Sequence, residues 1–426
     1  MKTRFAHIAD VHLGYQQYGL KERFNDFADA WVDALQQAIE REVQFVVIAG
    51  DLFHKRSVEP AALLQARYGL RMLKEKKIPV IAVEGNHERQ VYREGMSWMQ
   101  FLAADGDLHL LTITDEQGQV SMRPCDPDTH QGSYLDLDGV RIVGQQYLGS
   151  SARTIISEAA QALSDLPRAE YTIYACHAGI EGVIPDYPGC VSYEDLQPLR
   201  PVVDYVALGH IHLEFNRDRW AYNPGSLETC SADEAGKKRG FYVVDVDTDR
   251  PMESDTDRPH RARLMTPMRR DFRRVSINAE PCSHPEDLAE MFRKEIALLA
   301  REKLTKPVVL VSLYGRLRFD QGSLDLDALR GMITEAIDPL YVDVRNHTDA
   351  TPYQGEDGQS ISREALERQV LAGLFSRDDR YRDKAAAWAA LTIEIKGLAV
   401  QNADPAVISD LLDRMLATTE AQSAPA

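Results

Sequence analysis

Aspartate, asparagine and histidine recur in this chain at one kind of place, directly after a short run of strand-forming apolar residues. Residues 80–83 (VIAV) lead through Glu84-Gly85 to Asn86, His87 and Glu88. Residues 5–9 lead to Asp10-Val11-His12, and residues 45–49 to Gly50-Asp51. Residues 171–176 lead to His177, and residues 204–208 to Gly209-His210-Ile211-His212. Five of the twelve histidines (His12, His87, His177, His210, His212) thus fall where a buried strand ends, the rim at which ligands reach a sheet. A single histidine there is usually a hydrogen-bonded structural residue, but five of them beside two aspartates and an asparagine form a site. Carboxylate, amide and imidazole donors without thiolate suit Mn²⁺ or Fe²⁺ better than structural zinc. With His87 set aside, Asp10, His12, Asp51, Asn86, His177, His210 and His212 are enough for two divalent ions sharing one carboxylate. Ions about 3.5–4 Å apart clamp a phosphoryl group for in-line displacement.

The elements that must position these side chains follow from the hydrophobic pattern. Strands at residues 5–9, 45–49 and 80–83 alternate with helices near 22–42 and 60–76, the βαβ order of a parallel sheet with helices on its faces. Phe24, Phe27, Trp31, Leu35 and Ile39 make one stripe on the first helix, which reads as core packing. Residues 96–104 read as a short helix, and 134–137 with 140–144 as a hairpin turning at Asp138-Gly139. A second strand–helix–strand–helix–strand series runs over 272–277, 285–303, 308–314, 324–337 and 341–344. Residues 351–360 read as a linker, and the rest is helical up to a polar tail. The predicted domains are therefore 1–264, 265–350 and 351–426.

The 426 residues carry 49 basic and 66 acidic side chains, a net charge of −17 that argues against wholesale coating of nucleic acid but allows a local basic track. The five cysteines are scattered and read as reduced thiols of a cytoplasmic protein. No apolar run approaches a membrane span, and a strand beginning within the first few residues leaves no room for a signal peptide.

The order Asp-x-His, Gly-Asp, Gly-Asn-His-Glu, His, Gly-His-x-His resembles the calcineurin-like metallophosphoesterase signature. Within that superfamily HIADVHLGY, GDLFHKR and NPGSLE resemble the SbcD-type double-strand-break repair nucleases. The resemblance is dense to about residue 245 and thin beyond it. It implies an α/β metallophosphoesterase fold, a β-sandwich with flanking helices, followed by a small α+β capping domain and a helical C-terminal segment. It implies two divalent ions, expected to be Mn²⁺. Asp10, His12 and His212 would hold one, Asn86, His177 and His210 the other, and Asp51 would bridge them. His87 is similar to the family's non-ligand histidine, which contacts phosphate and helps the leaving oxygen depart. His54 resembles a second, supporting histidine, or is simply a surface histidine beside Lys55 and Arg56. The implied activity is two-metal DNA exonuclease and endonuclease action in a nucleoid-associated homodimer, on duplex ends, hairpins and single strands. The implied partner is an SMC-like coiled-coil ATPase of the SbcC type. The rival readings are a phosphatase or cyclic-nucleotide phosphodiesterase, and a non-catalytic scaffold. Against the first, Gly50-Asp51 continues Leu-Phe-His and not the Val-Asp-Arg-Gly of protein phosphatases; against the second stands the complete ligand set.

Three further features are open to two readings each. Tyr187 or Tyr193 could stack on a base or pack a loop. Lys237, Lys238 and Arg239, and the seven arginines between Arg258 and Arg274, could contact phosphate or serve the fold. Val407, Ile408, Leu411, Leu412, Met415 and Leu416 form an apolar stripe behind the helix start Asp404-Pro405, and Trp388, Leu391, Ile395 and Leu398 form another. Both stripes must be buried at home or on a partner; the resemblance implies that residues 380–418 grip the ATPase coiled coil.

Overall fold

The computed structural model describes residues 1–88, 95–116, 119–250, 257–349, 363–376, 381–400 and 404–420. Two sheets carry the site. The first has seven strands in the order His260–Met265, Phe241–Asp247, Lys2–Ile8, Phe45–Ala49, Val80–Val83, His109–Leu111 and Gln131–Gly132. The second has six, in the order Phe215–Arg217, Ala221–Asn223, Tyr205–Leu208, Tyr171–Cys176, Val140–Gln145 and Tyr134–Leu137. Lys2–Ile8, Phe45–Ala49 and Val80–Val83 pair in parallel, as do Val140–Gln145, Tyr171–Cys176 and Tyr205–Leu208.

The unbroken apolar runs are explained by burial on both faces of each sheet. Phe5, Phe45, Val47, Ile81 and Val83 meet Ile142, Ile173, Tyr205 and Ala207 of the other sheet, forming the inner core. The alternate residues Ala6, Ile8, Val46, Ile48 and Ala82 face outward, against Trp31, Leu35, Leu70 and Leu73 of the helices Lys21–Glu40 and Pro60–Glu75. Val143, Tyr174, Cys176 and Val206 likewise pack under the helix Ala152–Ser164. This is the expected metallophosphoesterase sandwich, helices outside two sheets. The short helix begins at Trp98 behind a Ser97–Gln100 capping box, and the Asp138-Gly139 hairpin forms with both residues left-handed (φ 44° and 87°).

By its internal contacts the chain divides into two compact units, one of residues 1–279, 285–314 and 325–347, the other of 280–284, 315–324 and 348–426. The first unit thus takes in most of the second strand–helix series: the strands Phe272–Asn278, Val308–Arg316 and Tyr341–Asp349 form a three-stranded sheet with the helices Pro285–Ala300 and Leu326–Ile337. Buried Arg23 organises the seam between this sheet and the sandwich. Its guanidinium donates to Gln17, Asp26 and the Thr229 carbonyl, and lies over the rings of Phe27 and Phe272. In the second unit the helices Arg363–Ser376 and Ala385–Val400 pack together around Phe375, Tyr381 and Trp388. The helix Pro405–Glu420 starts where the sequence places it, with Asp404 accepting from the Ala406 N–H; its Val407 and Leu412 are exposed. The predicted linker 351–360 and the end of the tail lie outside the described residues.

Candidate metal centre

All seven expected ligands converge at the carboxyl ends of the two sheets. The backbone there is unusual, because Asp10, His12, Asp51 and His210 all have positive φ (52°, 53°, 54° and 82°). Left-handed turns swing each side chain off its strand axis and into the space between the sheets. The Val11 and His12 N–H groups both donate to the Asp51 carbonyl, locking the first two strand ends together. A Cβ on Gly85 would strike the Asp51 carboxylate, and one on Gly50 would strike the His177 ring, so both turns need glycine.

The side chains form two groups joined by one carboxylate. Asn86 Oδ1 lies 3.0 Å from His177 Nε2 and 3.0 Å from His210 Nδ1. His12 Nε2 lies 3.0 Å from His212 Nε2, which is 3.8 Å from Asp10 Oδ1. Asp51 Oδ2 stands between the groups, 3.3 Å from His177 Nε2 and 3.9 Å from His12 Nε2.

Hydrogen bonds on the far side of three rings fix their tautomers. His177 Nδ1 donates to the Ala49 carbonyl (2.8 Å), His210 Nε2 to the Pro188 carbonyl (2.6 Å) and His212 Nδ1 to Glu234 (2.9 Å). Each ring therefore turns its other nitrogen toward Asn86, Asp51 or Asp10, where a proton or a metal ion can hold the two sides together. Imidazoles braced by carbonyls and a carboxylate are the usual outer support of a metal site. His12 Nδ1, buried and without a partner among the described residues, is a further unspent donor. The residues fit a pair of divalent ions.

The electrostatics agree. Burial, then the His212 charge, pushes His12 well below the usual histidine range, and burial takes His210 down to about 4. His177 goes the other way: burial opposes protonation, yet Asp51 raises it to about 9. The field that attracts a proton there attracts a metal cation equally. His7 makes the contrast. It sits mid-strand with both nitrogens hydrogen-bonded, to Tyr205 and the Leu208 carbonyl, and burial lowers it to about 3: a structural histidine.

His87 stands at the rim, half-buried, with Nε2 3.9 Å from Asp51 Oδ2 and Nδ1 donating to the His54 carbonyl at 2.5 Å. His54 lies against His87 (ring centroids 5.2 Å) and is stacked on Tyr15 at 3.8 Å. It is packed into the site wall, not loose on the surface; burial and the neighbouring His87 charge bring it down to about 4.

Residues 3–214 match the family model described as calcineurin-like phosphoesterase. The chain belongs to that family. It is similar to the DNA double-strand break repair protein Mre11 of Archaeoglobus fulgidus, 34% identical over 241 residues, 55% of this chain and 52% of the relative. The Methanopyrus kandleri protein of that name is 29% identical over 57% of this chain and 54% of its own. The Saccharolobus solfataricus one is 27% identical over 77% and 85%. The chain spans about half the length of the first two.

Three groups that hold this phosphoesterase site together escaped the sequence reading. Glu88, buried, accepts from the backbone N–H groups of Asp51, Phe53 and Gly85 (3.0, 2.8 and 2.7 Å), tying two ligand loops to one carboxylate. Glu234 braces His212. Tyr147 lines the wall beside His177 and His210 (ring centroids 6.0 and 5.4 Å). Only Glu88 carried a sequence signal, as the last residue of the Gly-Asn-His-Glu word.

The basic candidates separate. Tyr187 lies 5.2 Å from the His210 ring and lines a cleft of about 500 Å³ beside the site, with His212, Lys237 and Arg274. Tyr193 instead bonds Asp218 and Arg200. Arg239 is buried against Glu234 and Thr229, so it serves the fold. In the arginine-rich stretch, Arg263 pairs with Asp245, Arg270 grips Asp26 in two bonds, Arg273 takes Glu302 and Arg274 takes Asp233. Most of that positive charge is neutralised inside the molecule.

Proposed function

We propose that this phosphoesterase is a DNA nuclease, a two-metal exonuclease and endonuclease that processes double-strand breaks and works best with Mn²⁺. The observation that carries it is the convergence of imidazole nitrogens on Asn86, Asp51 and Asp10 beside a cleft with aromatic and basic lining. Asp10, His12 and His212 would hold one ion and Asn86, His177 and His210 the other, with Asp51 shared. Bound divalent ions supply Lewis acidity at the phosphoryl oxygens and lower the pKa of water. His87, its Nδ1 fixed on the His54 carbonyl, presents Nε2 at the rim, where it can contact phosphate and pass a proton to the leaving oxygen; His54 holds it from behind. Tyr187 offers a ring to a base, and Lys237 offers charge to phosphate.

Kinship to proteins named for double-strand break repair supports DNA over small phosphate esters. No helix among the described residues is long and apolar enough to cross a membrane. The reading extends to a cytoplasmic, nucleoid-associated homodimer in which residues 265–350 cap the nuclease domain and orient DNA. Residues 380–418 would bind an SMC-like coiled-coil ATPase.

The test is the purified protein with Mn²⁺, offered linear duplex DNA, hairpin DNA and p-nitrophenyl phosphate esters side by side. Cleavage of DNA that is lost in Asp51→Asn is the expected result. Rapid ester hydrolysis with intact DNA would make the chain a phosphatase. Truncation after Gly358 should spare short-DNA cleavage and abolish ATPase co-purification; retained association would place the contact elsewhere.

A further inference from the structure

The metal centre has a sulfur neighbour. Cys230 Sγ and the nitrogens of His12 and His212 lie within 4.8 Å of one another. Two ligands of one tetrahedral Zn²⁺, with bonds of about 2.0–2.3 Å, stand roughly 3.5 Å apart, so a small adjustment brings all three onto one ion.

The cysteine is held there on both sides. Its N–H donates to Glu234 Oε2 at 2.8 Å, and its carbonyl accepts from Gln17 Nε2 at 2.8 Å. The other oxygen of the same Glu234 carboxylate takes the His212 Nδ1 proton. One carboxylate thus fixes the backbone of Cys230 and the ring of His212 together, and Arg239 in turn donates to the Glu234 carbonyl at 2.5 Å. His12 is buried, and its Nδ1 has no partner among the described residues. The thiol itself reaches the Glu228 carbonyl at 3.6 Å.

His12 and His212 consequently face two different environments. On one side Asp51 Oδ2 and Asp10 Oδ1, at 3.9 and 3.8 Å from their nitrogens, offer hard oxygens. On the other, Cys230 offers soft sulfur. Hard ions such as Mn²⁺ favour carboxylate, while thiolate selects Zn²⁺ and its heavier congeners.

We propose that Cys230, with His12 and His212, forms a thiolate-containing subsite that captures thiophilic divalent ions in place of the ion the carboxylates favour. This rests on the two-metal reading above. As the metal–sulfur bond forms, the thiol proton leaves to solvent and no electron changes hands, so the only co-reactant is the ion itself. The consequence is metal discrimination: Zn²⁺ or Cd²⁺ would occupy the His12–His212 pair in a geometry drawn toward sulfur, away from Asp51.

The experiment titrates Co²⁺ and Cd²⁺ into the metal-free full chain and follows thiolate-to-metal absorption in the near ultraviolet. One band equivalent per chain is expected. Cys230→Ser should abolish it and weaken Cd²⁺ binding at least about 10-fold, with a far smaller change for Mn²⁺. Cys230→Ala serves if the serine variant does not fold. Ion binding without a thiolate band in the unaltered protein, or a band that survives both substitutions, overturns the proposal. Asp51→Asn is run in parallel. If it leaves Mn²⁺ stoichiometry unchanged, the shared-carboxylate reading fails; if it disrupts Mn²⁺ binding while no band appears, only the cysteine proposal fails.

Discussion

Glu88→Gln should uncouple the two loops that deliver Asp51 and Asn86 without touching any residue that faces the site. In the intact protein Glu88 Oε2 accepts from the Asp51 and Gly85 N–H groups and Oε1 from that of Phe53. A glutamine can keep its oxygen on the first pair, but its NH₂ then faces the Phe53 N–H, donor against donor. Above pH 8, where the Glu88 carboxyl is ionised, the exchange leaves the Phe53 N–H without an acceptor, a cost of ~1–3 kcal/mol. At roughly 2–4 °C per kcal/mol for a domain of this size class, Tm should fall ~2–12 °C. Because Gly85 and Asp51 set where Asn86 and the shared carboxylate stand, metal affinity should fall about 10–100-fold, as for other supporting residues of metal sites. Scanning calorimetry and metal titration on the same preparation measure both. A variant that melts within about 1 °C of the parent and binds two ions equally well would refute the clamp.

Two further outcomes follow from the site. His87→Ala should keep both ions yet lose about 10²–10⁴-fold in activity on DNA, the usual worth of a positioned acid; loss of an ion in metal analysis would make His87 a ligand. Stability of the metal-free protein should fall as pH rises from neutrality toward 9. Burial and then the Asp51 charge raise Glu88 to about 8, and Asp51, against burial, raises His177 to about 9. A folded-state value above the unfolded one contributes stability at low pH and loses it as pH climbs through the folded value, so both groups act in the same direction. Mn²⁺ replaces the protons and should flatten the slope; a metal-free Tm that rises across this window would contradict the assignment.

The candidate site was legible because its signal is local. Each strand is buried on both faces, so it reads as an unbroken apolar run, and the run stops where the side chains turn to chemistry. His7 shows the discrimination at work: a histidine inside the run is structural, and one just past its end faces the site. What stayed hidden depends on contacts across the fold. Glu234 becomes a brace only when His212, 22 residues earlier, folds onto it. The arginine-rich stretch looked like a DNA track because its neighbours in sequence are basic. Its partners Asp26, Asp233, Asp245 and Glu302 arrive from elsewhere in the chain, and counting charge along a sequence cannot see them. The same blindness set Cys230 among the scattered thiols, although NPGSLE, the word it nearly follows, was read.

The left-handed backbone at Asp10, His12, Asp51 and His210 unites these points. Non-glycine residues in that region cost of order 1–3 kcal/mol each, though aspartate tolerates it better than most. Four together amount to several kcal/mol of local strain, and glycine at any of them would relieve it. The strain persists because the sandwich on one side and the bonds from Val11, His12 and Glu88 on the other leave the loops no alternative path. Its result is a set of imidazoles and carboxylates held apart from water and facing one another before any ion arrives. Free loops would let Asp10 and Asp51 turn outward to solvent, and binding would then have to supply the cost of gathering them. Here folding has already met it, and a divalent ion entering the centre displaces protons instead of ordering a chain.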